Sequence, residues 1–149
     1  MYDPEKMGLV LAAAKETGLP IWAGFTARRH DDGRVLSFAP DRDLPFVDII
    51  QVLRDFKVAA AGINHTPANV VGDALKILDQ VYEGPLLAYP DSGYYKSPHW
   101  QFKDILPPNE LKQYASEWIE GGLQIIGGCC GLTVEHIAVL SSLKDETSD

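Results

Sequence analysis

Four short runs of residues that are apolar throughout except for Gln124, each followed at once by polar or glycine-rich residues, constrain this chain more than any other feature. They are Ile21-Trp22-Ala23-Gly24-Phe25, Val58 to Ile63, Leu86-Leu87-Ala88-Tyr89 and Leu123 to Ile126. A strand that alternates apolar and polar residues has one wet face, whereas a strand apolar throughout is covered on both. Segments with apolar residues at helical spacing separate the runs. Met7, Val10, Leu11 and Ala14 make the first, opened by Asp3 and Pro4 and stopped by Gly18. Phe46, Ile49, Ile50, Leu53 and Phe56 make the second. Val71, Ala74, Leu75, Leu78 and Tyr82 make the third, with Thr66-Pro67 as its expected cap and Gly84-Pro85 as its break. Leu111, Tyr114, Ala115 and Trp118 lie on the fourth, ended by Gly121-Gly122, and Ile137, Leu140 and Leu143 on the last.

Buried strands alternating with amphipathic helices predict an α/β fold of parallel βα units, with four strands and about five helices. The spacing suits a doubly wound sheet or a TIM barrel, but a barrel has eight strands in about 250 residues. A chain of 149 residues with four units amounts to half of one. No linker divides it, so residues 1–144 are expected to form one partial barrel domain, with 145–149 a polar tail.

Composition narrows the partners. Thirteen Lys and Arg against twenty-one Asp and Glu give a net charge of −8, which argues against a nucleic-acid partner. No apolar run reaches the roughly 20 residues of a membrane span, and no basic-then-apolar leader opens the sequence. The two cysteines, Cys129 and Cys130, are adjacent. Neighbours cannot close an ordinary disulfide loop, so reduced thiols in a cytoplasm are expected.

In a parallel sheet the carboxyl ends of the strands form the functional rim. Four polar segments fall there: Thr26 to His30, Asn64-His65-Thr66, Pro90-Asp91-Ser92-Gly93 and Gly127-Gly128-Cys129-Cys130-Gly131. Two thiolates and an imidazole make a zinc set with an open fourth position, and His65 stands where it can supply the imidazole to Cys129 and Cys130. Adjacent cysteines are equally at home as small packing residues, and a histidine after a strand as a loop residue. Asp91 and Ser92 suit substrate contact or a plain Asp-Ser-Gly turn. Arg28-Arg29 suit a carboxylate ligand or a solvated loop. His136, in the first turn of the last helix, reads as a solvent contact, and His99, beside Trp100 in a Pro-bounded loop, as structural or at the periphery of a substrate site. Gly-Gly-Cys-Cys-Gly lacks the Gly-x-Gly-x-x-Gly spacing of a dinucleotide cradle.

Taken together, Gly62-Ile63-Asn64, Tyr89-Pro90-Asp91-Ser92-Gly93 and Gly127-Gly128-Cys129-Cys130-Gly131 followed by His136-Ile137 resemble the homocysteine S-methyltransferase family. The resemblance implies a TIM barrel that binds zinc at the carboxyl ends of its later strands. In that family three cysteines hold the metal, one after Gly-x-Asn and two in the double-cysteine motif. Homocysteine binds through its sulfur, which takes a methyl group to give methionine. A free thiol with a pKa near 8.5 is mostly protonated at neutral pH, and coordination removes that proton.

By the same resemblance the metal ligands here are His65, Cys129 and Cys130, with Asn64, Asp91 and Ser92 placed for substrate. His65 stands where the family has its first cysteine. A neutral imidazole leaves one less negative charge on the metal, making it a stronger Lewis acid and the bound thiolate a weaker nucleophile. The likeness covers the second half of the family's barrel; the early Asp-Gly segment and the mid-barrel Glu have no counterpart. The expected partners are therefore homocysteine, a small-molecule methyl donor, and either a second copy or the missing N-terminal half. Donors in the family include S-methylmethionine, S-adenosylmethionine, betaine and methyl-folate, and these residues do not choose among them. The alternative is a non-catalytic zinc- or thiol-binding module derived from the barrel. Redox chemistry at the cysteine pair ranks below both, because a vicinal disulfide is a strained ring.

Overall fold

The computed structural model describes residues 2–98 and 101–146, with side chains as far as Lys144. Helix α1 (Pro4–Glu16) starts where Asp3 Oδ1 accepts from the backbone N–H groups of Glu5 and Lys6, at 3.1 and 3.4 Å. Gly18 ends it with a φ of 71°, a conformation that costs a side-chain-bearing residue. Strand β1 (Trp22–Phe25) follows. Thr26 to His30, expected as a polar segment after the strand, instead enters an antiparallel hairpin of β2 (Ala27–Arg29) and β3 (Val35–Ser37). The fully buried Leu36, opposite Arg28 in the ladder, gives the hairpin an apolar anchor.

Helix α2 (Phe46–Ile50) runs into a 3₁₀ turn (Gln51–Arg54) and leads to β4 (Ala60–Pro67). Helix α3 (Ala68–Asp79), β5 (Leu86–Asp91), the short antiparallel pair β6 (Tyr94–Tyr95) and β7 (Phe102–Lys103), α4 (Pro108–Glu120), β8 (Leu123–Ile126) and α5 (Val134–Glu146) complete the order. The four long-range strands form one parallel sheet in the order β1-β4-β5-β8. This is the expected set of parallel βα units, four strands and five helices.

The core lies between sheet and helices. Phe25 and Ile63 from the strands meet Met7, Leu11, Phe46, Ile49, Ile50, Val71, Leu78 and Leu111 from the helices, all with under 2% or about 2% of their surface exposed. Gly62 is needed where β4 passes β5, because a Cβ there would run into the Leu87 carbonyl. Three local expectations change. Val10, placed on the apolar face of α1, is 55% exposed. Thr66 does not cap α3: its hydroxyl turns inward, accepting from Ala27 N at 2.9 Å and donating to Asn64 O at 3.0 Å, and Pro67 takes the cap position without a side-chain bond. On α5, Leu140 and Leu143 are buried as expected, whereas Ile137 is 46% exposed.

The outer strands β1 and β8 each leave one edge unpaired within this sheet. Trp22 on β1 is 57% exposed. Beside β8, a groove of about 510 Å³ is lined by Ile125, Ile126, Ile137 and Leu140, among others. Apolar residues are thus concentrated where a closed barrel would continue.

Candidate metal site at the strand ends

The site begins with an irregularity in β4. Asn64 pairs with Tyr89 and Pro67 with Asp91, so β4 spends three residues where β5 spends two. The extra residue makes a bulge, which bends a strand and re-aims its side chains. His65 sits in it with a φ of 47°, a left-handed conformation that is uncommon for histidine. The Phe38 ring packs edge-on to its imidazole at 5.8 Å.

The second part is the turn from β8 to α5. Gly127 N–H donates to Ala88 O at 3.0 Å and Cys129 N–H to Pro90 O at 2.9 Å, while Ser92 N–H donates to Cys130 O at 2.9 Å. The cysteine loop is therefore laced to the end of β5. Two glycines allow it: a Cβ on Gly127 would meet the Tyr89 ring, and one on Gly131 (φ 79°) would meet the Ser92 carbonyl.

These constraints bring His65, Cys129 and Cys130 together, with one ligand atom from each lying within 4.8 Å of the others. Cys129 Sγ is 3.7 Å from Cys130 Sγ and 3.8 Å from His65 Nδ1. A tetrahedral zinc with Zn–S of about 2.3 Å and Zn–N of about 2.0–2.1 Å has an S–S edge of about 3.8 Å and an S–N edge of about 3.6 Å. The donor set and its spacing fit a zinc ion. Burial pushes the Cys130 thiol above its ordinary pKa, and Cys129 and Asp91 push the same way. A cation at this point reverses that preference and favours the thiolates.

Of the remaining sequence candidates, Asp91 joins the group, with a carboxylate oxygen 3.4 Å from His65 Nδ1. Burial raises its pKa, opposed by the charge of His65. Asn64 lies beside the group, its Oδ1 accepting from the Thr26 hydroxyl at 3.5 Å in space left by Gly24. Ser92 is 8% exposed and its hydroxyl accepts from Leu106 N at 2.6 Å. Arg28 and Arg29 are both paired within the chain, to Asp43 at 2.6 Å and Asp73 at 2.7 Å. His99 lies outside the described residues.

His136 overturns its expectation. It is 3% exposed, not a solvent contact, with Nε2 2.7 Å from Leu106 O and Nδ1 3.0 Å from Thr133 N. Thr133-x-x-His136 has capping-box spacing, a signal in the sequence that points to the second of these bonds. The approach of Phe38 to His65 has no such local signal.

The family profile described as homocysteine S-methyltransferase matches residues 1–143. The chain belongs to this family. Among its relatives, the selenocysteine methyltransferase of Astragalus bisulcatus is 32% identical over 98 residues, covering 61% of this chain and 29% of that protein. Homocysteine S-methyltransferase 3 of Arabidopsis thaliana is 28% identical over 143 residues, covering 93% of this chain and 39% of that one. The apo crystal structure of the homocysteine methyltransferase MmuM from Escherichia coli superposes with a TM-score of 0.67 at 24% identity, over 95% of this chain and 46% of its own. This chain thus spans less than half the length of these relatives. The fold is four βα units of that barrel type.

Proposed function

We propose that this chain is the metal-bearing half of a zinc-dependent homocysteine S-methyltransferase, transferring a methyl group to the homocysteine thiol to give methionine. The observation that carries the proposal is the convergence of His65, Cys129 and Cys130 at the strand ends of a chain of this family. His65 Nδ1 and the two Sγ atoms would hold the ion, leaving a fourth position for substrate sulfur. Zinc bound there would supply a Lewis acid that keeps the incoming thiol deprotonated at neutral pH.

The surrounding residues have separate tasks. Asp91, with its side chain 19% exposed beside the group, offers an acceptor to the substrate ammonium. Asn64, its Oδ1 engaged by Thr26, presents its amide N–H groups to the substrate carboxylate. Ser92 braces the loop that Asp91 begins. Methyl transfer then forms the S–CH₃ bond as the donor–CH₃ bond breaks. With one neutral ligand, His65, the site favours ionisation of the thiol over its nucleophilicity.

The open edges of β1 and β8 and the apolar groove beside β8 support a further requirement: a second set of βα units must close the barrel before turnover. That role falls to the half which the relatives possess beyond the matched region. The adjacency of the two free thiols suits a reducing compartment, in keeping with a cytoplasmic enzyme. Among the described residues no helix is long and apolar enough to cross a membrane.

The test is methionine formation from homocysteine with S-methylmethionine, S-adenosylmethionine, betaine and methyl-folate in turn, with zinc content measured on the same sample. Each is run with and without the N-terminal half of a full-length relative added in trans. Stoichiometric zinc, weak turnover alone and a gain on adding the half are expected. Zinc without turnover under every condition would favour the non-catalytic binding module. No zinc at all would overturn the proposal.

A further inference from the structure

The loop bearing Cys129 and Cys130 is held through its backbone. Of its three backbone hydrogen bonds to residues 88–92, two run to Pro90 and Ser92: Cys129 N–H to Pro90 O and Ser92 N–H to Cys130 O, each 2.9 Å. Where the two thiols stand relative to His65 therefore depends on what holds the segment from Pro90 to Ser92. The Ser92 hydroxyl accepts from Leu106 N at 2.6 Å, and the Leu106 carbonyl lies 2.7 Å from His136 Nε2. A chain of contacts runs from His136 through Leu106 and Ser92 to the cysteine loop. Gly131, against the Ser92 carbonyl without a Cβ between them, closes the packing at its far end.

Local chemistry dictates how His136 takes part. Its Nδ1 is 3.0 Å from Thr133 N, a group that can only donate, so Nδ1 must accept. Thr133 Oγ1, also 3.0 Å from Nδ1, donates its proton to Glu135 Oε2 at 2.6 Å. The neutral ring then carries its proton on Nε2, aimed at the Leu106 carbonyl. One side chain thus does two jobs. It fills the acceptor role of a capping box at the start of α5, ordinarily taken by Glu or Gln, and it clamps a loop thirty residues away in sequence.

We propose that His136 is a positioning residue for the cysteine pair, holding Leu106 and, through Ser92, the loop that presents Cys129 and Cys130. The inference rests on the reading of His65, Cys129 and Cys130 as a metal site. His136→Gln separates the two jobs, because glutamine keeps the capping-box acceptor and loses the imidazole clamp. Ser92→Ala removes the next link without touching α5.

The experiment is a cobalt(II) titration of the chain, read by thiolate-to-cobalt charge-transfer absorption, with zinc affinity measured by chelator competition and folding followed by circular dichroism. Both variants are expected to melt as cooperatively as the wild type and to bind metal roughly three- to tenfold more weakly, the scale of one lost hydrogen bond. The double variant should lose little more than either single one, since both break the same chain. Unchanged affinity in a folded His136→Gln protein would overturn the proposal. So would additive losses, which mark two independent effects. If His136→Gln does not fold, unchanged affinity in Ser92→Ala refutes the relay by itself. Absence of the charge-transfer band in the wild type would refute the metal site, and the relay with it.

Discussion

Replacing His65 with glycine is expected to leave the metal-free protein about as stable as before while abolishing most of its stabilisation by zinc. His65 adopts a φ of 47°, and a left-handed backbone costs a residue with a Cβ about 1–2 kcal/mol. Glycine relieves that strain but loses more backbone entropy on folding, about 0.5–1 kcal/mol. It also loses the 3.4 Å contact with Asp91, where the imidazole is 44% exposed and the pair contributes about 0–1 kcal/mol. The three terms cancel to within about 1.5 kcal/mol. Zinc acts differently, since a ligand at 100 times its Kd stabilises the folded state by about 2.7 kcal/mol. For a chain of this length that is a rise in Tm of about 5–11 °C. The assay is thermal denaturation of wild type and His65→Gly, each with chelator and with zinc. Near-equal melting in chelator and a much smaller zinc shift in the variant are expected. A full zinc shift in His65→Gly would refute its role as a ligand, and a loss above about 2 kcal/mol in chelator would refute the strain argument.

His65→Cys, which supplies a third thiol, should retain stoichiometric zinc, checked by metal analysis after dialysis. Gly131→Ala should cost about 2–5 kcal/mol, because it adds left-handed strain and forces the Ser92 carbonyl aside; urea denaturation reads the loss. Leu111→Ala, at a fully buried position between α4 and the sheet, should cost about 2–5 kcal/mol by the same measurement. Arg29 holds the Asp73 carboxyl below its ordinary pKa of 3.8. The pair's contribution is therefore fully present above pH 3.8 and fades as pH falls through the lower folded value. Because Asp73 is about half exposed, that contribution is at most about 1 kcal/mol, and Asp73→Asn should flatten that part of the acid limb in urea midpoints taken from pH 2 to 5.

What the sequence determined by itself was whatever depends on neighbours along the chain. Hydrophobic periodicity and continuity are local, so the parallel strands at Trp22, Ala60, Leu86 and Leu123 and the helices between them were legible, as was the start of α1 at Asp3-Pro4. The cysteine pair is a local motif too, and a strand end is a local event, so the placement of Asn64, His65, Asp91, Cys129 and Cys130 on one rim follows once the sheet is parallel. The hairpin of β2 and β3 was not legible, because strands of three residues carry too little periodicity and exist through pairing with each other. Thr66 reads as a cap from its neighbours, yet the Ala27 amide, 39 residues away, draws its hydroxyl inward. Arg28 and Arg29 read as available cations until Asp43 and Asp73 are brought beside them. The bulge that turns His65 toward the thiols, and the burial of His136 under Leu106, arise from pairings between distant segments. Only the tertiary structure decides such features, because the free energy that creates each one belongs to contacts between residues that the order of the chain does not place together.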